Sequence, residues 1–411
     1  MVEKAERGWH RVLEHGIRYG LLSLLVWTPL AFGAVHTGAY ALLQIHICWL
    51  VALGIVQYLV VLRQGQTAVA CPPRLIGTPL ALPLVLFLLL LLLQQLPIPA
   101  ALLAFLSPTA AELYHQFLPG WPEHVAGLSL APYITKIAWG QLLAYCGLFF
   151  VCVNTLHSRR AICSICWVIV GTACVMAIVG ILQEASGTNL IYWFRDTSYA
   201  SGRFFGPYIN RNHFAGYQAM AIILGLGLLL AQPSKTVATS PLLWRHHLLH
   251  WFGLLSTGRL LLTLALSLMA GAMILSASRG GVLSFFLCLL CLAWLLHQHH
   301  LQRYSRVVLI LSLVAIVGMG IWLGATPLLK RFEQLSANAW AGRLPAFQAA
   351  WEISKDFPLF GIGYAMPFPW YQHAINPWMT SISALRTSTT IFYSFLPKPV
   401  GWVQDCLWAV C

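Results

Sequence analysis

Long apolar runs recur along this sequence, and they constrain the fold more than any other feature. Each run is long enough to cross about 30 Å of hydrocarbon, because an α-helix rises about 1.5 Å per residue. Charged residues make up only 9% of the chain and hydrophobic residues 59%, whereas an ordinary soluble domain has about 25% charged residues. The pattern predicts an all-α, polytopic membrane protein. About nine transmembrane helices are expected, near 17–35, 40–62, 77–94, 137–156, 161–182, 214–231, 260–278, 281–297 and 307–325.

Basic residues between the runs predict the orientation of the helices. Lys4, Arg7 and Arg11 precede the first run, and alternation of the later runs places the basic loops around Arg160 and Arg303 on the same side. Because positive charge is enriched on the cytoplasmic side, we expect a cytoplasmic N-terminus in a multi-pass protein surrounded by membrane lipids. The net charge of +13 is then an orientation signal, and no nucleic-acid partner is expected. A cleaved secretory signal is the alternative for the first run, but the further runs favour an uncleaved helix.

Cysteines and histidines are candidates for metal or redox chemistry, but a structural interpretation is favoured. The two Cys-x-x-Cys pairs, 163–166 and 288–291, lie in apolar runs, where small core residues are expected. His246 and His250 have a spacing that can hold a metal, yet no carboxylate or thiolate stands near them in the sequence. His46, within the second run, is expected to hydrogen-bond a neighbouring helix, although a functional role stays open. We therefore predict no metal site and no cofactor.

The predicted outer loops gain basic residues in the second half of the chain, against the positive-inside bias. Before residue 180 they contain Lys136, and after it Arg195, Arg203, Arg211, Arg279, Lys330, Arg331 and Arg343. A single arginine at the membrane boundary can simply extend to lipid phosphates. Several guanidinium groups that face one cavity suit a pyrophosphate, because each binds phosphate oxygens in a fork and stays charged.

Two short stretches give this expected anion site its local structure. Arg279 stands with Gly280 and Gly281 between two apolar runs, and glycines let a ligand or another chain approach the backbone closely. Further upstream, either Asn210 or Asn212 can cap the helix that follows, and Asn212 could instead contact a ligand. His213 stands at the start of that helix, where the dipole favours anions.

A third stretch predicts an amphipathic helix outside the membrane. Arg343 begins the helix, and Phe347, Ala350 and Trp351 share one of its faces. Its end is marked by Asp356, Pro358, Gly361 and Gly363.

These stretches, "SASRGG", "NRNHFAGY" and "GR…W…KDFPLFGIGYA", resemble in their sequence features the O-antigen ligase and O-antigen polymerase family of bacterial inner membranes. The resemblance covers roughly 180–366 and implies a metal-independent, mostly helical membrane glycosyltransferase. Such enzymes deliver a polyprenyl-pyrophosphate-linked glycan, on the periplasmic side, to a hydroxyl of lipid A-core, another glycan or a protein. By resemblance, Arg279 and Arg343 are catalytic residues at the pyrophosphate. The residues assigned to substrate binding are Arg203, Arg211, Asn212, His213 and Ser278.

By resemblance to the family, the general base is expected to be a histidine in a motif like "HxHNDYLQLLAETG". This chain does not contain that motif. When the codons from 388 to 407 are read from the third base of each, three pairs of residues have forced outcomes: Phe392/Tyr393 gives Leu, Trp402/Val403 gives Gly, and Asp405/Cys406 gives Leu. From Ser388 onward the shifted frame can then spell "HNDFLQFLAETGWLGAGLF". We therefore expect an integral membrane domain over 1–365 and an out-of-frame tail over 366–411. If so, the periplasmic loop is truncated, and the chain as written does not transfer glycan. The alternative is a divergent tail.

Two other functional classes compete with the glycan transferase. A secondary transporter usually carries ionisable residues near the middle of the membrane. Asp and Glu are absent from the predicted spans, and the charges crowd one rim, which favours chemistry at the surface. A non-catalytic remnant is the other possibility. Ligase, polymerase and protein transferase all stay open within the family.

Overall fold

The computed structural model describes residues 2–67, 77–118, 120–123, 126–196, 204–231, 257–298 and 344–364, together with positions 310, 313, 314 and 318. Within these residues the chain is almost entirely helical, which confirms the all-α prediction. The α-helices are α1 (Val2–Leu30), α2 (Thr37–Thr67), α3 (Ala81–Gln95), α4 (Ala100–Leu106), α5 (Pro108–Phe117), α6 (Pro132–Thr155), α7 (Arg159–Ala185), α8 (Arg211–Ala231), α9 (Thr257–Leu275), α10 (Arg279–Gln298) and α11 (Leu344–Asp356). A 3-10 turn covers Phe32–Ala34, and a small antiparallel hairpin pairs β1 (Leu190–Ile191) with β2 (Arg195–Asp196).

Five stretches of the described helices are long and apolar enough to cross a membrane. They are Gly38–Leu62, Pro132–Thr155, Arg159–Ala185, Arg211–Ala231 and Thr257–Leu275, with shorter apolar stretches at Ala81–Gln95 and Arg279–Leu295. The protein is therefore a multi-pass membrane protein. The helix over the first predicted span, 17–35, ends earlier than expected. α1 ends at Leu30, because residues 32–34 all take positive φ. The last predicted span, 307–325, lies almost wholly outside the described residues.

The chain divides into two compact units, of which the first draws on 1–13, 47–155 and 336–411. Here α3 packs on α6, and the indole N–H of Trp139 donates to the carbonyl of Leu88 at 3.0 Å. Beyond these helices, α4, α5 and the segment after α11 enclose a small apolar core. Its buried members are Ile98, Leu103, Ala110, Leu113, Tyr114, Ala126, Leu128 and Phe357.

The second unit draws on 14–46 and 156–335, and α8 lies at its centre. This helix packs against α7, α9 and α10, while α7 also packs on α9. Small residues permit the close approach: a Cβ on Gly225 would overlap the side chain of Leu266 from α9. Gln218 is fully buried in α8, and its Nε2 donates to the carbonyl of Ala173 in α7 at 2.9 Å. The centre of the unit is thus fixed both by packing and by a polar contact between helices.

Candidate functional site

The N-terminus of α8 is capped by Asn210, one of the two asparagines that the sequence offered for this role. Its Oδ1 accepts from the backbone N–H of Asn212 at 2.9 Å, and its carbonyl accepts from the N–H groups of His213 and Phe214 at 3.1 and 3.3 Å. α8 therefore begins at Arg211, earlier than the apolar run at 214 had indicated. Because Asn210 does the capping, the side chain of Asn212 is available for another contact.

The N-terminus of α10 is capped in the same way by Ser278. Its hydroxyl oxygen accepts from the N–H of Gly281 at 3.2 Å, and only 1% of the residue is exposed. The connection from α9 is short because the chain turns within Ser276–Ser278, where Ala277 takes a φ of 51°. Arg279 is thus the first residue of α10, and Gly280 and Gly281 lie inside the helix, whereas the sequence predicted a turn at these residues between two apolar runs.

The two capped ends are joined directly. The Ser278 hydroxyl donates to Oδ1 of Asn212 at 2.8 Å, so the cap of α10 bonds the first turn of α8. A Cβ on Gly281 would overlap the Cβ of Ala215, which shows how closely the two helices approach. We call this pair of helix starts, with residues 210–215 and 278–281, the paired N-termini. Both helix dipoles direct their positive ends to this place.

Charged and polar side chains surround the paired N-termini. Arg211 and Arg279 are each the first residue of their helix, and both are half-buried. Asn212 and His213 are exposed in the first turn of α8. Two guanidinium groups and two helix N-termini favour an anion with several oxygens, because backbone N–H groups and fixed cations act on it together.

The structure therefore brings together five of the residues that the sequence singled out: Arg211, Asn212, His213, Ser278 and Arg279. Arg203 and Arg343 lie outside the described residues, as do Lys330 and Arg331. Arg195 has a different environment, since its guanidinium lies 4.5 Å from the centre of the Phe32 ring in a cation–π contact.

The motif after α11 forms a separate feature in the first unit. We call Phe357–Tyr364 the clasp, because its carbonyls are bonded by side chains and backbone from elsewhere in that unit. Gln94 donates to the carbonyl of Phe360 at 2.6 Å, and the N–H of Leu130 donates to the carbonyl of Ile362 at 3.0 Å. The Thr135 hydroxyl donates to the carbonyl of Tyr364 at 3.3 Å.

Glycine is required within the clasp for two reasons. Gly361 and Gly363 have φ of 65° and 106°, conformations that residues with a side chain rarely adopt. At Gly363 a Cβ would also overlap the hydroxyl of Ser129. The "FGIGY" part of the motif is therefore explained by the backbone path.

The polar contacts beneath the clasp could not be predicted from the sequence. The hydroxyl groups of Ser129 and Thr135 lie 2.8 Å apart, and the buried Tyr114 phenol donates to the carbonyl of Ser129 at 2.8 Å. Burial raises the pKa of Tyr114 well above its usual value. A lone tyrosine in a short helix has no spacing signature, so only the three-dimensional contact identifies it.

The amphipathic helix after Arg343 is present as α11, but its apolar face is not buried within its unit. Phe347 and Trp351 are 63% and 66% exposed, and Ala350 is exposed beside them. Phe357, after the helix has ended, is buried in the core, and Ile353 of α11 packs against that core. The nitrogen of Lys355 lies 5.6 Å from the Trp351 ring.

The histidines that the sequence analysis considered have different environments in the structure. The Trp27 indole donates to Nδ1 of His46 at 3.1 Å, which confirms the expected hydrogen bond between neighbouring helices. No group of three or more His, Cys, Asp or Glu residues within the described ranges could hold a metal ion. The histidine clusters around 246–250 and 299–300 lie outside those ranges.

Together these observations define a polytopic helical membrane protein with an anion-favouring arrangement at two adjoining helix starts. Residues 264–389 match the family model described as O-Antigen ligase, and the match supports assigning the chain to the O-antigen ligase family. It includes Arg279, α10, α11 and Arg343, and it extends past 365. The "NRNHFAGY" stretch lies before it. No curated protein and no solved structure matches the chain.

Proposed function

We propose that this protein descends from enzymes that move a polyprenyl-pyrophosphate-linked glycan onto a hydroxyl of lipid A-core at the periplasmic face of the inner membrane. The paired N-termini are the observation that carries the proposal, because they put Arg211 and Arg279 at the starts of two joined helices. The family match includes α10 and Arg279 and supports the same reaction class.

The reaction assigns a clear role to these cations. The acceptor oxygen attacks the anomeric carbon of the glycan, the bond from that carbon to the phosphate oxygen breaks, and the lipid pyrophosphate leaves. Negative charge grows on the departing oxygen, so fixed guanidinium groups and helix dipoles stabilise the transition state more than the ground state. The acceptor proton goes to a base, and by resemblance that base is the histidine of the motif that this chain does not contain.

Arg343 and Arg203 belong to the proposal on the strength of the sequence alone. Arg343 would hold the pyrophosphate with Arg279, and Arg203 would bind substrate with Arg211, Asn212 and His213. Ser278 serves the site through its bonds to Gly281 and Asn212, which keep the two helix starts together. No metal or other cofactor is proposed.

Transfer to another glycan or to a protein is the alternative within the family, and transport is the alternative outside it. Glu184, near the end of α7, is the one acidic residue in the five described candidate spans. A transporter usually needs ionisable groups deeper in the membrane, which favours the transferase.

Binding of a lipid pyrophosphate tests the proposal directly. In the purified chain held in lipid nanodiscs, Arg279→Gln should weaken binding of polyprenyl pyrophosphate about tenfold to a hundredfold, because charged hydrogen bonds are lost. Arg279→Lys should have an intermediate effect, since lysine keeps the charge but not the fork. Arg160→Gln is the matched control, as it removes an exposed cation from the start of α7. Equal affinity in all four proteins would contradict the assignment.

The reading frame forms a second part of the proposal. This part rests on the three forced codon outcomes, whereas the family match runs to residue 389, past the whole 366–385 interval. The nucleotide sequence tests this, because codons incompatible with "HNDFLQFLAETG" in the shifted frame would refute it. We expect the chain as written to fail to restore O-antigen on lipopolysaccharide in a ligase-deficient strain.

A further inference from the structure

We propose that α11 lies along the surface of the membrane and inserts three exposed side chains among the glycerol groups and upper acyl chains of the phospholipids. These side chains are Leu344, Phe347 and Trp351, which we call the outward face. The ligand of this face is thus the bilayer itself. The inference goes beyond the proposed function and does not depend on it, because it requires only that the chain is a multi-pass membrane protein.

α11 has three different sides, because successive residues of an α-helix are about 100° apart. Ile353 packs against the apolar core of the first unit, and the outward face lies on the opposite side of the helix. Gln348, Glu352 and Asp356 are exposed and form a polar side between the two. A helix that contacts its own protein, lipid and water together needs three such sides.

The clasp fixes the end of α11 at the boundary of the membrane. Gln94 lies in the last turn of the apolar helix α3, and Thr135 lies in the first turn of α6, a candidate span. Both side chains donate to carbonyls of the clasp, which follows α11 directly in the sequence. Because the ends of membrane-crossing helices lie where hydrocarbon meets water, we expect the end of α11 at the same level.

The chain after α11 continues along the apolar helix α3. The ring of Tyr364, at the end of the clasp, packs edge-on against the ring of Phe87 in α3, with 5.7 Å between the ring centres. Phe87 lies about 10 Å along α3 from Gln94, at about 1.5 Å per residue. Within the clasp, Leu359 is 76% exposed and adds a further apolar side chain next to the outward face. The exposed apolar surface is therefore continuous with a part of the chain that enters the membrane.

Trp351 and Lys355 form a pair that is typical of the membrane interface. The nitrogen of Lys355 lies 5.6 Å from the Trp351 ring, and both residues are exposed. An indole favours the level of the headgroups, whereas a lysine stem lies on apolar surface and carries its amine to the phosphates.

The charge of α11 shows which force holds it to lipid. The helix has one positive charge, Lys355, against two negative charges, Glu352 and Asp356, and so a net charge of −1. This charge offers no attraction to anionic lipid, so apolar contact by the outward face is the stabilising force. Contact with lipid should then be insensitive to salt.

A photoreactive residue can identify what lies against the outward face. p-Benzoylphenylalanine, which captures neighbouring C–H groups on illumination, replaces Phe347 in the full chain held in phosphatidylcholine nanodiscs, and mass spectrometry identifies the adducts. We expect phospholipid adducts. The same residue in place of Gln348, on the polar side, is the matched control. It should give about tenfold fewer lipid adducts, because burial favours an aromatic side chain by at least that factor.

Two outcomes of this capture experiment would contradict the proposal. Capture of peptides from this chain, or from a second copy of it, in place of lipid would show that protein covers the outward face. Equal capture of lipid at positions 347 and 348 would show that α11 has no side that prefers the membrane.

A charge placed on the outward face should release α11 from lipid. The probe is a phosphatidylcholine with a diazirine near the start of an acyl chain, and labelling of α11 is measured. Trp351→Glu should reduce it about tenfold, through lost apolar contact, while Gln348→Glu adds the same charge on the polar side and leaves it unchanged. Both side chains are exposed, so thermal unfolding should stay close to that of the wild type.

Equal labelling in these two variants would overturn the proposal. So would labelling of the wild type that disappears at about 1 M salt, where the Debye length is about 3 Å, because ionic attraction would then be the force that holds α11. Neither result bears on Arg279, so the proposed function is tested separately.

Discussion

The paired N-termini in the second unit and the clasp in the first both come from motifs of one family resemblance, yet they use their residues differently. In the clasp, main-chain carbonyls are bonded by Gln94, Leu130 and Thr135. In the paired N-termini, the side chains of Asn210 and Ser278 each accept from one backbone N–H of the first helical turn. Other side chains next to these caps stay exposed. One motif shapes the backbone, and the other leaves charged and polar side chains exposed or half-buried at two helix starts.

This difference limits what a motif can indicate about chemistry. Gly361 and Gly363 are explained by their φ values alone, without reference to a substrate. Arg279 is not required by the backbone in this way, because Ser278 is the cap of α10 and a positive charge at a helix start opposes the dipole. A feature that local stability disfavours is the better candidate for function.

The largest expected effect separates the two regions by stability. Gly363→Val should lower the free energy of unfolding by about 4 kcal/mol, because it adds backbone strain at positive φ to a steric overlap with Ser129. Thermal unfolding of the purified protein measures this. Gly140→Val is the control, since Gly140 lies in α6 of the same unit with open space around it. A small effect at Gly363 would mean that the clasp does not hold its unit together.

A smaller loss of stability, with loss of binding, is expected where α8 and α10 touch. Gly281→Val should cost about 2 kcal/mol, because its side chain overlaps Ala215 and pushes the helices apart. Affinity for polyprenyl pyrophosphate should fall with it, as the two arginines separate. Gly171→Val is the matched control, because Gly171 lies in α7 of the same unit, outside the paired N-termini, and a Cβ there meets nothing within 4 Å. Similar affinity in both variants would show that the spacing of the helix starts does not matter for the anion.

Much of the local structure was predictable from the sequence. A break near Arg279 followed from the two glycines, although the turn lies at Ser276–Ser278 and the glycines belong to α10. A capping asparagine was expected before α8. The long apolar helices followed from run length. The end of α1 was predicted too late, because apolar character continues through Phe32 and Ala34 while the backbone turns there. Hydrophobicity does not indicate where a chain takes positive φ.

The contacts between distant segments could not be predicted. Asn212 and Ser278 are 66 residues apart, and Gln94 and Phe360 are 266 apart. The apolar runs indicate which segments enter the membrane, but almost any of them can be neighbours there. Which helices adjoin is decided by small residues such as Gly281 and Ala215, whose role is visible only once the two surfaces meet.

Removing the cap of α10 tests the paired N-termini more gently. Ser278→Ala should cost about 1 to 2 kcal/mol, because the N–H of Gly281 loses its acceptor and Asn212 loses its donor. Affinity for polyprenyl pyrophosphate should fall only a few-fold, since Arg279 keeps its charge. Ser284→Ala, on the exposed side of α10, is the control. An affinity loss as large as that of Arg279→Gln would instead make Ser278 a direct ligand.

The smallest expected effect belongs to the buried phenol beneath the clasp, and it depends on pH. At neutral pH, Tyr114→Phe should cost about 1 kcal/mol, because the hydrogen bond to Ser129 is lost. Burial raises the pKa of Tyr114 above its ordinary value of 10.0, so the unfolded chain ionises first. The stability contributed by the neutral buried phenol is complete below pH 10.0 and declines as the pH rises above it. The phenylalanine variant lacks this decline, so the unfolding curves of the two proteins should converge in alkaline buffer.

Tyr133→Phe is the control, because it removes an exposed phenol from the same unit, and its stability should run parallel to that of the wild type as the pH rises. Convergence in that control as well would show that the alkaline loss arises elsewhere than beneath the clasp.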